Sequence, residues 1–138
     1  MIAYVDSSVL LRVVLGQRGA LKEWSDIVTG VTSGLLEVEC LRTIDRLHLA
    51  KALDDDETAE RRETVYRMLE MVEVIEPSGP VLRRASQPLP TPLGTLDSIH
   101  LATASLWRET RGKDLTIATH DKSLALAARA SGFKVVGV

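Results

Sequence analysis

The sequence has 138 residues, of which 45% are hydrophobic and 26% are charged, a length and balance typical of one soluble globular domain. Its 17 basic and 19 acidic residues give a formal net charge of −2, so no overall basic field draws polyanions to the molecule. The single cysteine, Cys40, excludes an internal disulfide and a cysteine-based zinc site. Because no apolar run has membrane-spanning length and no leader precedes Ile2, the expected location is the cytoplasm.

The chain begins with an apolar stretch, Ile2–Val5, that runs into Asp6. A stretch that is apolar on both faces is typical of a buried strand in a parallel sheet. Helix and strand patterns then alternate along the chain. Helices are predicted over residues 7–15, 21–28, 35–53, 54–72, 78–86, 95–110 and 121–131, and further strands over residues 31–33, 73–76, 115–118 and 133–136.

Alternating prolines (Pro88, Pro90 and Pro92) exclude a helix over residues 87–94 and predict a stiff extended loop. Strands separated by helices imply a parallel sheet that is covered on both faces. We therefore predict an α/β fold for residues 1–138 as a single domain. It is a three-layer α/β/α sandwich with a central parallel sheet of about five strands, and the first strand is expected at its centre.

Three acids are expected at one edge of this sheet. Asp6 and Asp121 follow predicted strands, and Asp97 lies in the first turn of the helix after the proline loop. Ligands of parallel sheets bind outside the carboxyl ends of the strands, so these acids are candidates for a shared site. Each acid alone also has an interpretation as a helix cap, and the run Asp54–Asp56 is interpreted as capping and dipole stabilisation of the helix it begins.

A fourth acid is expected from the helix over residues 35–53. Glu39, Arg42 and Arg46 share one face of it, which is either a metal-binding carboxylate flanked by phosphate-binding cations or an exposed stripe of ion pairs. Glu37 competes with Glu39, and helical periodicity does not decide between them. A set of Asp and Glu oxygens suits Mg²⁺ or Mn²⁺, and such a site suits phosphodiester hydrolysis.

Four stretches of the sequence together resemble a PIN-domain ribonuclease of the VapC kind, found in bacterial and archaeal toxin–antitoxin pairs. They are residues 4–8 (Tyr-Val-Asp-Ser-Ser), 38–42 (Val-Glu-Cys-Leu-Arg), 95–104 (Thr-Leu-Asp-Ser-Ile-His-Leu-Ala-Thr-Ala) and 119–121 (Thr-His-Asp). Their order, spacing and flanks agree with the family over essentially the whole chain. The proline loop is not part of the family's pattern.

The resemblance implies a metal-dependent endoribonuclease toxin with RNA as its substrate. The catalytic acids it implies are Asp6, Glu39, Asp97 and Asp121, of which Asp6, Asp97 and Asp121 hold Mg²⁺ or Mn²⁺. It favours Glu39 over Glu37, because the family's Glu stands three residues before an Arg. The residues expected to bind substrate are Arg42, Arg46, Thr119 and Ser7. The expected partners are a small VapB-like antitoxin, which neutralises the toxin, and a second copy of the chain in a homodimer.

Two other functions compete with this interpretation. A phospho-signalling receiver module also gathers acids and Mg²⁺ on a five-stranded α/β sheet, but it requires adjacent acids after the first strand and a Lys after the last. A catalytically silent binding domain would use its acids only to receive a partner's Arg. Among the remaining residues, His100 is expected to pack beside the acids, His48 and His120 to lie on the surface, and Cys40 to lie in the core.

Overall fold

A five-stranded parallel sheet forms the middle of the protein in the computed structural model, which describes residues 1–138. The strands are β1 (Ile2–Val5), β2 (Thr29–Ser33), β3 (Glu73–Ile75), β4 (Thr116–Ala118) and β5 (Lys134–Val136). Their order across the sheet is β3-β2-β1-β4-β5. The predicted central position of the first strand is therefore confirmed.

Six helices cover both faces of this sheet. They are α1 (Ser7–Val14), α2 (Leu35–Leu49), α3 (Asp55–Glu70), α4 (Gly79–Ala85), α5 (Thr95–Arg111) and α6 (Lys122–Ala130). The side chains of β1 alternate between two cores: Ala3 and Val5 pack with residues of α1, α2 and α3, whereas Tyr4 packs with residues of α5 and α6. The predicted three-layer α/β/α sandwich is confirmed, and Cys40 lies in the first of these cores.

Two predicted helices differ from the structure. The helix over residues 21–28 is wrong, because only a short 3₁₀ helix, Lys22–Asp26, forms there, and Ile27 is already extended as the chain enters β2. The helix predicted over residues 35–53 ends at Leu49, since Lys51 adopts a left-handed conformation with φ of 59°. No helix is long and apolar enough to cross a membrane.

Asp54, the first residue of the acidic run, caps α3, as predicted. The Asp54 side chain accepts a hydrogen bond from the backbone N–H of Glu57 at 2.7 Å, and the Glu57 side chain accepts one from the N–H of Asp54 at 3.2 Å. This reciprocal arrangement satisfies two N–H groups that the helix itself leaves free. The neighbouring Asp55 bonds His48 at 2.7 Å.

The strand order also determines where a ligand can bind. From β1 the chain builds the sheet outwards through β2 and β3, and then crosses to the other side of β1 to form β4 and β5. The order of the strands thus reverses between β1 and β4, and their carboxyl ends flank a crevice. Open α/β sheets bind their ligands at such a reversal.

Candidate functional site

Asp6 lies at the reversal, directly after β1. Its backbone N–H donates to the carbonyl of Ala118 at 3.0 Å, which joins the ends of β1 and β4. Its side chain is buried, and its Oδ2 atom accepts hydrogen bonds from Ser8 Oγ at 2.6 Å and Thr119 Oγ1 at 2.8 Å. These two donors hold one carboxylate oxygen, and the other, Oδ1, is left for the crevice.

Thr119 connects Asp6 to Asp121. Its hydroxyl oxygen accepts the backbone N–H of Asp121 at 3.0 Å while its proton goes to Asp6. Asp121 is also the N-cap of α6, since its Oδ1 accepts the N–H of Leu124 at 2.8 Å. Because Thr119 is fully buried and its hydroxyl bonds both Asp6 and Asp121, it positions these two acids, and its role in binding substrate stays a prediction.

Glu39, and not Glu37, faces the site from α2. Glu37 is exposed, whereas the Glu39 side chain is 21% exposed, and its Oε1 lies 2.5 Å from Nε2 of His100. A carboxylate only accepts hydrogen bonds, so the Nε2–H of His100 donates to it. The other oxygen, Oε2, has only a long contact of 3.4 Å from the Ser7 hydroxyl.

His100 is fully buried beneath these acids. Its Nε2 is also 3.9 Å from Oδ1 of Asp6, and its Nδ1 is 2.7 Å from the hydroxyl of Tyr4. Burial acts to lower the pKa of His100, but the hydrogen bond and the charge of Glu39 outweigh it, and the pKa is raised above its ordinary value. The only signal for this role in the sequence is that His100 follows Asp97 by three residues on one helix.

Asp97 lies in the first turn of α5, and the other acids change its pKa. Its partial burial raises its pKa, and the charges of Asp121, Asp6 and Glu39 raise it further against the opposing effect of His100, to about 6. Asp97 has no hydrogen-bonded donor of its own that would stabilise its charge. The charges of the other three acids thus act on Asp97. We refer to Asp6, Glu39, Asp97 and Asp121 as the acidic cluster.

The acidic cluster has the donor chemistry of a site for Mg²⁺ or Mn²⁺. No lysine or arginine forms an ion pair with any of its four carboxylates, and His100 is the only basic group bonded to it. Asp6 and Asp121 each have one oxygen that accepts hydrogen bonds from the protein and one that accepts none. As the side chains stand, however, no three His, Cys, Asp or Glu residues are grouped closely enough to hold a metal ion. The chemistry of the donor oxygens fits a hard cation, although these side chains are not grouped as the ligands of one ion.

The arginines expected to bind substrate lie on the exposed face of α2. Arg42 pairs with Asp45 at 2.9 Å with its side chain 63% exposed, and Arg46 donates to the Thr43 hydroxyl at 3.1 Å. Thr43 in turn donates to the carbonyl of Glu39 at 2.8 Å. Arg42 and Arg46 follow Glu39 on α2 by about one and two helical turns. Their role in binding substrate stays a prediction.

The two histidines predicted on the surface differ from each other. His48 is 37% exposed and bonds Asp55. His120 is half-buried, because its Nδ1 bonds the carbonyl of Gly137 at 2.6 Å and its Nε2 is enclosed without a partner. The surface prediction is therefore wrong for His120, which lies between Thr119 and Asp121 at the carboxyl end of β4.

The family is shown by comparison of the sequence with protein-family models. The model of the PIN domain matches residues 3–130, which is nearly the whole chain. The chain belongs to the PIN domain family. PIN domains are in general nucleases, so the family is one of hydrolases that act on nucleic acids. No curated protein sequence matches the chain significantly.

Solved structures share the fold of this PIN domain. A toxin–antitoxin complex from Klebsiella pneumoniae contains a chain with 21% identity and a TM-score of 0.65, with 89% of this chain and 90% of that chain covered. FitAcB from Neisseria gonorrhoeae has 17% identity and a TM-score of 0.69, with 98% and 96% covered. VapBC-5 from Mycobacterium tuberculosis, a member of the VapBC family of toxin–antitoxin systems, has 19% identity and a TM-score of 0.62, with both chains fully covered at 100%.

The PIN fold excludes the receiver module as an alternative. In receiver domains the strand order is 2-1-3-4-5, so the first strand lies between the second and third. Here β1 lies between β2 and β4, and β3 is at the edge of the sheet. The acids of this PIN domain therefore meet at a different pair of strands.

Proposed function

We propose that this PIN domain is a Mg²⁺- or Mn²⁺-dependent endoribonuclease that acts as a toxin and is neutralised by a small antitoxin. The supporting observation is the acidic cluster: carboxylates from four separate elements converge at the reversal of the sheet, with His100 as their only basic partner. Uncompensated like charges destabilise a folded protein, so a site of this kind is expected to have a cationic ligand.

The residues of the acidic cluster divide between holding the cation and moving a proton. Asp6, Asp97 and Asp121 would hold Mg²⁺ or Mn²⁺, which supplies positive charge for the phosphoryl oxygens and lowers the pKa of bound water. Glu39, with Oε1 held by His100, keeps Oε2 available to accept a proton from the attacking water. Ser7 lies beside that oxygen, and Arg42 and Arg46 provide charge for the RNA backbone.

RNA is the proposed substrate because the sequence resembles that of PIN-domain ribonucleases, and the chain has few residues that could stack unpaired bases. Aromatic residues make up 4% of the sequence, and both tryptophans are at least half-buried. Specificity is therefore expected from RNA shape and backbone contacts rather than from a stacking platform.

The toxin assignment is supported by the relatives in structure. The structures from Klebsiella pneumoniae and Mycobacterium tuberculosis are described as toxin–antitoxin systems, and they cover nearly all of this chain. An antitoxin that neutralises this PIN domain is proposed to place an arginine in the acidic cluster, where a guanidinium forms two hydrogen bonds with a carboxylate. The toxin is proposed to form a homodimer within that complex.

Cleavage of RNA by the purified protein tests the proposed activity. We expect Mn²⁺ to support endonucleolytic cleavage of single-stranded RNA and a chelator to abolish it. Glu39→Gln is expected to lower the rate by about 10²-fold, because the amide cannot accept the proton. Glu37→Gln is the matched control: it removes the same charge two residues away on the exposed face of α2, and it is expected to stay within about twofold. Equal effects of the two changes would contradict the role of Glu39.

The antitoxin proposal predicts an inhibitor that acts through arginine. A small protein that co-purifies with this PIN domain is expected to abolish Mn²⁺-dependent cleavage. Replacing the arginine that enters the acidic cluster with alanine should restore most of the activity, because the other contacts do not displace the cation. An inhibitor whose effect is independent of every arginine it contains would contradict this arrangement.

A further inference from the structure

We propose that His100 is a positioning residue that holds Glu39 in the acidic cluster, an inference that rests on the proposed nuclease function. Glu39 comes from α2, Asp6 from the end of β1, and His100 from α5. The imidazole Nε2 is 2.5 Å from Oε1 of Glu39 and 3.9 Å from Oδ1 of Asp6. A single buried ring thus lies between two carboxylates that would otherwise repel each other.

The ring is fixed from its other side. Nδ1 of His100 is 2.7 Å from the hydroxyl of Tyr4, and the two rings meet edge to face with centroids 5.9 Å apart. Both residues are fully buried, and Tyr4 is part of the central strand β1. Because hydrogen bonds at both nitrogens and packing on all sides determine the orientation of the imidazole, the direction in which Nε2–H points is set by the core.

Glu39 has no comparable support. Its side chain has several rotatable bonds, and its only other hydrogen-bonding contact is the 3.4 Å contact from Ser7. Without the Nε2–H of His100, repulsion by Asp6 and Asp97 favours rotation of the Glu39 carboxylate towards solvent, since it is already 21% exposed. The proton acceptor would then be absent from the site in most molecules, while the arginines that face RNA would be unchanged.

Two substitutions of His100 test its hydrogen bonds to Glu39 and Tyr4 separately. His100→Gln places an amide donor near the position of Nε2 and retains a partner for Glu39, whereas His100→Asn places its amide near Nδ1, where it bonds Tyr4 and does not reach Glu39. We expect His100→Asn to lower kcat about 10- to 100-fold with KM for RNA unchanged, and His100→Gln to recover most of that loss. Leu101→Val is the control for a perturbed core, since it alters the adjacent buried residue of α5 without touching Glu39.

A double-mutant cycle shows whether His100 acts through Glu39. In the Glu39→Gln background, His100→Asn is expected to cause no further loss of kcat, because the group it positions is already absent. Multiplicative losses would overturn the proposal. Equal losses for His100→Asn, His100→Gln and Leu101→Val would also overturn it, since they would indicate damage to the core alone.

An NMR measurement distinguishes failure of this inference from failure of the proposed nuclease function. In the metal-free protein, the imidazole nitrogen NMR spectrum of His100 is expected to show a protonated Nε2 whose proton resonance moves in Glu39→Gln and not in Glu37→Gln. An Nε2 resonance unaffected by Glu39→Gln overturns the inference whatever the activity. If the resonance behaves as expected but the wild-type protein cleaves no RNA with Mn²⁺, the nuclease function fails, and with it the catalytic purpose assigned to His100.

Discussion

Replacing Asp6 with asparagine is expected to lower Mn²⁺-dependent RNA cleavage by about 10²-fold or more and to leave the fold intact. The loss follows from charge, because several kcal/mol of transition-state stabilisation depend on a cation that a neutral amide binds poorly. The fold is retained because the amide oxygen can take the place of Oδ2 and accept from Ser8 and Thr119, which now donate at 2.6 and 2.8 Å. The amide nitrogen then faces the crevice.

Asp6→Ala is the contrasting variant. It removes the acceptor as well as the charge, so the buried hydroxyl of Thr119 and the half-buried hydroxyl of Ser8 lose the acceptor of their protons, and we expect the free energy of unfolding to fall by about 1–3 kcal/mol. Asp56→Asn, which removes one charge from the exposed start of α3, is the control for net charge. Rates of cleavage and thermal melts of the three variants are the measurements. Cleavage by Asp6→Asn at the wild-type rate, in a preparation free of contaminating ribonuclease, would contradict the proposed metal site.

The sheet and the acids at its edge could be predicted because they depend on short stretches of sequence. The apolar stretch Ile2–Val5 is too short for a helix and has no polar face, which indicates a buried strand. The acid that follows it was therefore expected at the carboxyl ends of the strands. The same argument places Asp121 after β4. The choice of Glu39 over Glu37 depended on the family resemblance, and the structure supports it through the burial of Glu39 and its bond to His100.

The supporting contacts could not be predicted, because they join residues that are far apart in the sequence. Tyr4, Glu39 and His100 form one hydrogen-bonded chain across separations of 96 and 61 residues. Each alone is unremarkable in a pattern of apolar and polar residues: a tyrosine in a strand, a glutamate on a helix and a histidine on a buried face. The helix predicted over residues 21–28 failed for a related reason, since Ile27 extends towards β2, and tertiary context outweighs the local pattern there.

Asp97 allows the acidic cluster to be tested through stability alone, without an activity assay. Its pKa is about 6 in the folded protein, against an ordinary value of 3.8. When the pKa of a carboxyl group is higher in the folded than in the unfolded state, its protonated form favours folding. This contribution to stability is complete at a pH below the unfolded pKa and is lost as the pH rises through about 6. At pH 8 the charged Asp97 is therefore expected to lower the free energy of unfolding, by on the order of 1–2 kcal/mol after allowance for its partial exposure.

Asp97→Asn is accordingly expected to stabilise the metal-free protein by about 1–2 kcal/mol at pH 8, because it removes the repelled charge. The difference from wild type should shrink as the pH falls through 6, since protonated Asp97 is then as neutral as asparagine. Asp56→Asn is the matched control: it lies in the first turn of a helix, as Asp97 does, but it is exposed and is not part of the acidic cluster. Loss of a favourable interaction with the helix dipole should make that variant slightly less stable.

Binding of the cation is expected to shift the difference in stability between the two proteins in the opposite direction. At ten times its Kd, Mn²⁺ is expected to stabilise the wild-type protein by about 1.4 kcal/mol through binding linkage, and to stabilise Asp97→Asn much less because one ligand has lost its charge. Thermal melts of wild type, Asp97→Asn and Asp56→Asn at pH 5 and pH 8, in chelator and in Mn²⁺, measure both effects. An Asp97→Asn variant that is less stable than wild type in chelator at pH 8, and that gains as much from Mn²⁺, would mean that Asp97 acts only on its own helix. A gain in chelator that shrinks or disappears in Mn²⁺ would indicate that Asp97 shares a cation with the other metal-binding acids, because an isolated helix-start acid changes stability by the same amount in both conditions.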